Sequence, residues 1–279
     1  MSQQFTNRAQ LSYNDTVVLS NTVTGEIADL LAITKTALES SYTVGGRLTY
    51  VVNLINSGTE ALTDLTLVDD LGAGESGTPV LTYLDGSVYY FVEGVAHPAP
   101  TATGGTTLTI EGIAVPAGGN ATVIYGAVVN EYASPMVGAT ITNTVTVSGD
   151  GTLPATAEAT VPASVGADLS ICKSLSPLVV SGNGSLTYSF VIRNSGNEAA
   201  DAGDNVVLSD TFDPILSNIT VTYNGSAMAA TGYTYDEATG TFQTTAGAIT
   251  VPAATFTQNE DGTWTSIPGE ATLTVTGNI

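Results

Sequence analysis

The chain contains two lysines, Lys35 and Lys173, and each stands in a strand-like stretch in step with apolar residues. Ile33 and Ala37 flank Lys35 at a spacing of two, and Ile171 and Leu175 flank Lys173 in the same way. Side chains alternate between the two faces of a β-strand, so residues two apart share a face, and both amines are predicted to point inward. Two aspartates follow the same logic. Asp69 continues Leu65 and Leu67 and precedes Leu71, and Asp210 continues Val206 and Leu208 and precedes Phe212. Two asparagines complete the pattern: Asn143 lies among Ile141, Val145 and Val147, and Asn7 among Phe5, Ala9 and Leu11. An amine, a carboxyl and a carboxamide are costly to remove from water unless they satisfy one another. The simplest arrangement is a buried Lys–Asp ion pair hydrogen-bonded to the amide.

The elements that position these groups repeat. Leu48-Thr49-Tyr50-Val51-Val52-Asn53-Leu54-Ile55-Asn56-Ser57-Gly58 matches Leu186-Thr187-Tyr188-Ser189-Phe190-Val191-Ile192-Arg193-Asn194-Ser195-Gly196, and Ile33-Thr34-Lys35-Thr36 matches Ile171-Cys172-Lys173-Ser174. Leu65 to Asp69 matches Val206 to Asp210, and Val115 to Val123 resembles Ile267 to Leu273. Period-two alternation, abundant Thr, Val, Gly and Asn, and closely spaced Gly-rich turns mark an all-β chain of two tandem sandwiches.

The N-terminus carries a further copy. Phe5-Thr6-Asn7 aligns with Ile141-Thr142-Asn143, Asn14-Asp15 with the Asp150-Gly151 turn, and Ala28-Asp29-Leu30 with Ala167-Asp168-Leu169. Phe5 to Glu26 is thus predicted to be a β-hairpin equivalent to Ile141 to Ala163, the hairpin that closes the first repeat. The second repeat reaches Ile279 where such a hairpin is due. The expected domains are a donor hairpin at 1–26, a first immunoglobulin-like sandwich at 27–163 and a second, incomplete one at 164–279. Folding back on its own second repeat would require the hairpin to span the first through almost no linker, at about 3.5 Å per residue. Donation to a neighbour would instead complete both partners and generate a head-to-tail polymer.

The stretches ITKT, LTYVVNLINSGTEA, LVDDLG and ITNTVTVSGDG resemble the conserved repeat domain of unknown function found in many bacterial surface proteins. The resemblance covers nearly the whole chain and implies immunoglobulin-like sandwiches with a surface or structural role. The order and spacing of Lys, Asp and Asn also resemble the collagen-adhesin type of isopeptide domain. There an early-strand Lys is joined to a late-strand Asn with the help of an Asp lying between them in sequence. Carried over, that resemblance implies Lys35 joined to Asn143 with Asp69 as catalyst inside the first repeat. It also implies Lys173 joined to Asn7 of a neighbouring chain with Asp210 as catalyst, Asn21 being an alternative donor. An apolar setting disfavours the charged amine and carboxylate. The neutral amine would attack the amide carbonyl, the acid would polarise it and shuttle protons, and ammonia would leave.

Composition narrows the alternatives. The formal net charge is −21, with five basic residues against 26 acidic ones. Nucleic acid is therefore not an expected partner, since phosphate binding needs basic patches. Mean hydropathy is +0.23, yet no run is long enough to span a bilayer. Met1-Ser2-Gln3-Gln4 lacks a signal-peptide pattern, so export is expected by another route, such as release on cell lysis. Asn259-Glu260-Asp261-Gly262 lacks calcium-loop spacing. No cofactor or metal motif is found, and the single histidine, His97, argues against an enzyme acting on an external substrate. The one cysteine, Cys172, is read as a strand residue.

The reading that follows is a self-assembling fibre subunit, its partner another copy of itself, on a bacterial cell or spore surface. The alternative is a monomeric surface adhesin or binding module using exposed aromatics such as Tyr89, Tyr90 and Trp264.

Overall fold

The computed structural model describes residues 3–13, 16–27, 30–73, 77–182 and 184–279. They are β-strands and connecting turns, with short 3₁₀ turns at Ala202–Asp204 and Ala230–Gly232. None of their helices is long and apolar enough to cross a membrane. The chain divides into two units, one of residues 1–133 and 140–162 and one of 134–139 and 163–279.

The N-terminal segment is a hairpin in four pieces: β1 (Gln3–Asn7), β2 (Gln10–Tyr13), β3 (Thr16–Leu19) and β4 (Val23–Ile27). β1 pairs with β4 and β2 with β3, all antiparallel, and neither pair joins a larger sheet among the described residues. The predicted turn at Asn14-Asp15 lies outside the described residues. Phe5, Leu11, Val17, Val18, Leu19 and Val23 are all exposed. Phe5 is laid over Gly25 so closely that a Cβ there would meet Phe5 Cζ at 2.3 Å.

The rest of the first unit is a complete sandwich. Its strands are β5 (Leu31–Ala37), β6 (Arg47–Asn56), β7 (Leu62–Asp69), β8 (Leu81–Tyr83), β9 (Tyr89–Val92), β10 (Val95–His97), β11 (Thr101–Gly104), β12 (Leu108–Val115), β13 (Asn120–Val129), β14 (Thr140–Ser148) and β15 (Ala155–Pro162). One sheet has the order β10-β9-β13-β6-β5 with β8 also on β13, and the facing sheet runs β11-β12-β7-β14-β15. Alternation along each strand fills the space between them: Leu48, Tyr50, Val52 and Leu54 from β6 meet Leu65, Leu67, Val145 and Val147 from the other side. Leu30, where the hairpin joins the sandwich, accepts a bond from Ser57 N at the start of β5. Pro162, the unit's last residue, accepts one from Tyr42 N beyond the other end of β5, which spans about 23 Å at 3.3 Å per residue.

The second unit repeats part of this plan with β16 (Leu169–Ser176), β17 (Ser185–Asn194), β18 (Ser209–Thr211), β19 (Ser217–Tyr223), β20 (Ser226–Ala227), β21 (Tyr233–Asp236), β22 (Thr241–Thr244), β23 (Thr255–Gln258), β24 (Trp264–Ile267) and β25 (Gly269–Asn278). One sheet is β16-β17-β25-β19-β20, with β16, β17 and β25 in the roles of β5, β6 and β13. The facing sheet is β18-β22-β21, in the roles of β7, β12 and β11, and a small β23–β24 pair stands apart. The difference lies at one edge. In the first unit β7 is paired on both sides, Asp69 lying opposite Leu108 of β12 and opposite Val145 of β14. In the second, Asp210 lies opposite Phe242 of β22, and no described strand occupies the other side of β18. The inward face of β16 is uncovered to match: Leu31 of β5 is 2% exposed, whereas Leu169 and Ile171 are 39% and 58% exposed.

Strand registers compare the hairpin with the pair β14–β15. Asn7 pairs with Val23 and Asn143 with Ala159, each sixteen residues on; Phe5 pairs with Gly25 and Ile141 with Val161, each twenty on. The match holds along β1–β4 and slips by one residue at β2–β3, where Gln10 faces Leu19, next to the Ala9–Ser20 backbone bond. One expected alignment shifts. Leu31 pairs with Asn56 as Leu169 pairs with Asn194, so Leu30, not Asp29, is the counterpart of Asp168; Ala28 and Asp29 lie outside the described residues.

Among the described residues the hairpin makes no ladder with its own sandwich, so deleting residues 1–26 should leave the first unit's stability within about 0.5 kcal/mol of the full chain. Hydrogen exchange at β6 and β13 amides measures this, and faster exchange there would show that the hairpin supports its own sandwich.

Candidate functional site

The three inward polar residues of the first repeat are all buried: Lys35, Asp69 and Asn143 are 5%, 0% and 0% exposed. Lys35 comes from edge strand β5 of one sheet, and Asp69 and Asn143 from neighbouring strands β7 and β14 of the other. Lys35 Nζ lies 2.5 Å from Asp69 Oδ2, so the ion pair crosses the core between the sheets. Tyr125 Oη donates to the same Oδ2, and Leu71 N donates to Oδ1 at 2.9 Å. Asn143 Oδ1 accepts from Gly72 N at 3.2 Å. Gly72 has φ +72°, and a Cβ there would meet Val80 Cγ2 at 2.8 Å and Ile141 Cγ2 of β14 at 3.0 Å, so glycine suits both the turn and its approach to β14.

Two tyrosines that the sequence reading passed over line the site. Tyr50 and Tyr125 lie opposite each other on β6 and β13 with ring centroids 5.7 Å apart, and Lys35 Nζ sits 4.7 Å above the Tyr50 ring. Tyr50 Oη and Asn143 Nδ2 are buried and make no bond of hydrogen-bonding geometry. Their alternation was readable, since Tyr50 continues Leu48 and Tyr125 continues Ala121 and Val123; what hid them was that tyrosine in a core strand needs no special explanation. Burial pushes the Lys35 amine below its ordinary value, and Asp69 offsets this only in part. Burial pushes both phenols up, Tyr125 well above its usual range with Asp69 adding to the effect, while the Asn143 amide partly counteracts burial at Tyr50.

The second repeat holds half of this arrangement. Lys173 contacts Asp210 Oδ2, and its Nζ lies 4.6 Å from the Tyr188 ring, 5.6 Å from Phe190 and 5.7 Å from Phe212. The Lys173 side chain is 42% exposed, against 0% for Lys35. Tyr188 occupies the place of Tyr50, but its cross-strand neighbour is Val275 where the first site has Tyr125. Asn7 is exposed on β1, as is Asn21 beside β4.

Of the aromatics considered for a contact patch, Tyr89 is exposed and Trp264 half-buried, but Tyr90 is buried. Adjacent strand residues point to opposite faces, and Tyr90 Oη is tied to Ala114 O at 2.5 Å and Ala114 N at 3.0 Å. The predicted exposure of Tyr90 is therefore corrected.

No family model matches the chain, and no curated protein does. Among solved structures it is similar to a variant of BcpA, the major pilin subunit of Bacillus cereus, at 12% identity and TM-score 0.36, covering 86% of this chain and 65% of that one. The chain thus spans just under two thirds of that protein's length. It is also similar to a 35 kDa C-terminal fragment of the major pilin GBS80 of Streptococcus agalactiae, at 13% identity and TM-score 0.36, covering 86% and 91%. A third is the collagen-binding subdomain of the Enterococcus faecalis surface protein ACE, at 10% identity and TM-score 0.30, covering 47% and 95%.

The lowered Lys35 value has a thermodynamic sign. The unfolded chain keeps this proton up to about 10.5 and the folded chain releases it earlier, so between the two values the folded state binds fewer protons and gains stability as pH rises. Above about pH 10 the unfolded chain's tyrosines ionise while Tyr50 and Tyr125 are held neutral, which reverses the trend. In an Asn143→Ala chain, which keeps the Lys35–Asp69 pair, denaturation midpoints should climb as pH rises towards about 10. Adding Lys35→Met should flatten that slope.

Proposed function

We propose that this chain is the structural subunit of an extracellular bacterial fibre, built head to tail by donation of each N-terminal hairpin to the second unit of a neighbour. The observation that carries this reading is the bare edge of β18, together with a hairpin whose β1–β4 register is that of β14–β15. Placed on β18 as β14 is placed on β7, the hairpin sets Ala9 opposite Asp210 and brings Asn7 to the position of Asn143. It also covers what remains exposed of Leu169 and Ile171, worth about 1 kcal/mol each, and it supplies partners to an unpaired strand edge. Leu30 and Pro162 lie at opposite ends of β5, which favours donation to another chain over return to the same one. The surface location, with the spore among its possible sites, rests on this assembly reading.

The same geometry supports covalent locking. In the first unit Lys35 bonds to Asn143 with Asp69 as proton carrier: the ammonium gives a proton to Asp69, the amine Nζ attacks Asn143 Cγ, the Cγ–Nδ2 bond breaks, and ammonia leaves. The balance is one ammonium and one carboxamide converted to a secondary amide and an ammonium ion, with no oxidant required. Lys173, Asp210 and a neighbour's Asn7 repeat the reaction between subunits. Lys173 is open to water until the hairpin covers it, so this bond waits for assembly.

Intact mass of denatured subunit should be short by one ammonia, and Asp69→Ala should restore the full mass. Removal of residues 1–26 should abolish filaments in negative-stain images. Wild-type filaments should survive boiling detergent as ladders, whereas Lys173→Ala or Asn7→Ala filaments should assemble and then run as monomers. Wild-type filaments that boil wholly to monomer, with free Lys173 and Asn7 by peptide mapping, would sink the intermolecular bond; long filaments from the truncated chain would sink strand donation.

A further inference from the structure

Tyr50 Oη and Asn143 Nδ2 are buried polar atoms of one site, and neither makes a hydrogen bond of good geometry. Each is a buried polar atom in a site where every other polar side-chain atom of Lys35, Asp69, Asn143 and Tyr125 has a contact. Buried groups left in this way cost about 1–3 kcal/mol each and call for an explanation. The two act on one another, because the Asn143 amide is the leading influence that opposes burial at the Tyr50 phenol. A planar carboxamide nitrogen is a donor with no free lone pair, so it offers the Tyr50 hydroxyl nothing to donate to.

We infer that Tyr50 is the acid that serves the leaving nitrogen of Asn143 when the Lys35–Asn143 bond forms. When Lys35 Nζ adds to Cγ, the centre becomes tetrahedral and Nδ2 gains a lone pair. The Tyr50 O–H can then donate to Nδ2, an interaction available only after attack has begun and therefore one that lowers the barrier rather than the ground state. As the Cγ–Nδ2 bond breaks, the Tyr50 proton passes to Nδ2 and ammonia departs. The phenolate recovers a proton from the attacking nitrogen, whose second N–H is lost as the amide forms. Lys35 Nζ sits 4.7 Å over the Tyr50 ring, so donor and acceptor of that proton share one pocket. Burial keeps the phenol protonated beforehand, as an acid must be. The same residue type recurs beneath the second lysine, where Tyr188 lies 4.6 Å from Lys173 Nζ. Tyr125, by contrast, has no counterpart there, which separates a group required by the chemistry from one that orients Asp69.

This inference rests on the proposed Lys35–Asn143 bond, and the experiment separates the two. The full chain is made by cell-free synthesis, quenched in acid at intervals, and followed by intact mass for loss of ammonia. Tyr50→Phe removes only the hydroxyl and should slow the loss at least tenfold, within the range of about 10²–10⁴ that general acids contribute. Solvent deuterium should slow the wild type more than Tyr50→Phe, a difference that a packing role would not produce. Stability is compared in the unreactive Asp69→Ala background, where Tyr50→Phe should be close to neutral, since the phenol makes no hydrogen bond of good geometry. A wild type that never loses ammonia overturns the bond itself. A wild type that loses it no faster than Tyr50→Phe, or a Tyr50→Phe chain less stable in the Asp69→Ala background, overturns the role given to Tyr50 alone.

Discussion

The rest of this molecule depends on one strand edge: β7 of the first unit is paired on both sides, and its counterpart β18 is paired on one among the described residues. In the first unit β14 sits on β7 and performs three tasks at once. It satisfies the backbone of β7, closes the core over Leu65 and Leu67, and delivers Asn143 beside Asp69. The second unit keeps β18 and the two residues Lys173 and Asp210, and among the described residues no strand lies in the place of β14. One edge thus links secondary structure, hydrophobic closure and chemistry, so the three are gained or lost together.

The buried ion pair of the first unit is not explained by stability. Removing two charges from water costs several kcal/mol per ion, and apolar residues of similar size would serve a core as well or better. Under the proposed bond, the site is a compromise between holding and reacting. Asp69 is held by Leu71 N and Tyr125 Oη, which fix its carboxylate plane, while burial works against the charge on Lys35. The second site makes a different compromise. Three aromatic rings surround Lys173 and can hold an ammonium through their π faces while it is still wet. Ring contacts favour charge without demanding burial, which would suit Lys173 under the proposed assembly.

Much of this was legible in the alternation of side chains. Period two placed Lys35, Asp69 and Asn143 on inward faces, and all three are buried, because a two-residue period leaves no freedom once Leu65, Leu67, Val145 and Val147 are committed to the core. The internal match between 5–7 and 141–143 similarly anticipated a hairpin of equal register. Other features were beyond that kind of reading. Backbone donors carry no residue identity, so Gly72 N–H on Asn143 Oδ1 could not be found from side-chain pattern. The slip at Ala9 and Ser20 is a hydrogen-bonding detail that composition does not encode. The tripeptide match at 28–30 was off by one because three residues align in sequence whatever their depth in the ladder. The paired tyrosines at 89 and 90 looked equally available, yet the strand sends one outward and ties the other to Ala114.

The position of Lys35 on the first strand of the first sandwich has a mechanical consequence under the proposed cross-links. Tension entering a subunit at Asn7 runs through the hairpin to Lys35, crosses the amide to Asn143, continues along β14 and β15 into β16, and leaves at Lys173 for the next chain. Residues 36–142 and 174–279 are outside this covalent line. Most of each subunit therefore bears none of the load, and a pull on the fibre has no folded loop of the first sandwich to unravel. Those unloaded segments include β8 to β13, where Tyr89 is exposed, and under the same proposal they are free to vary in sequence and surface without weakening the fibre.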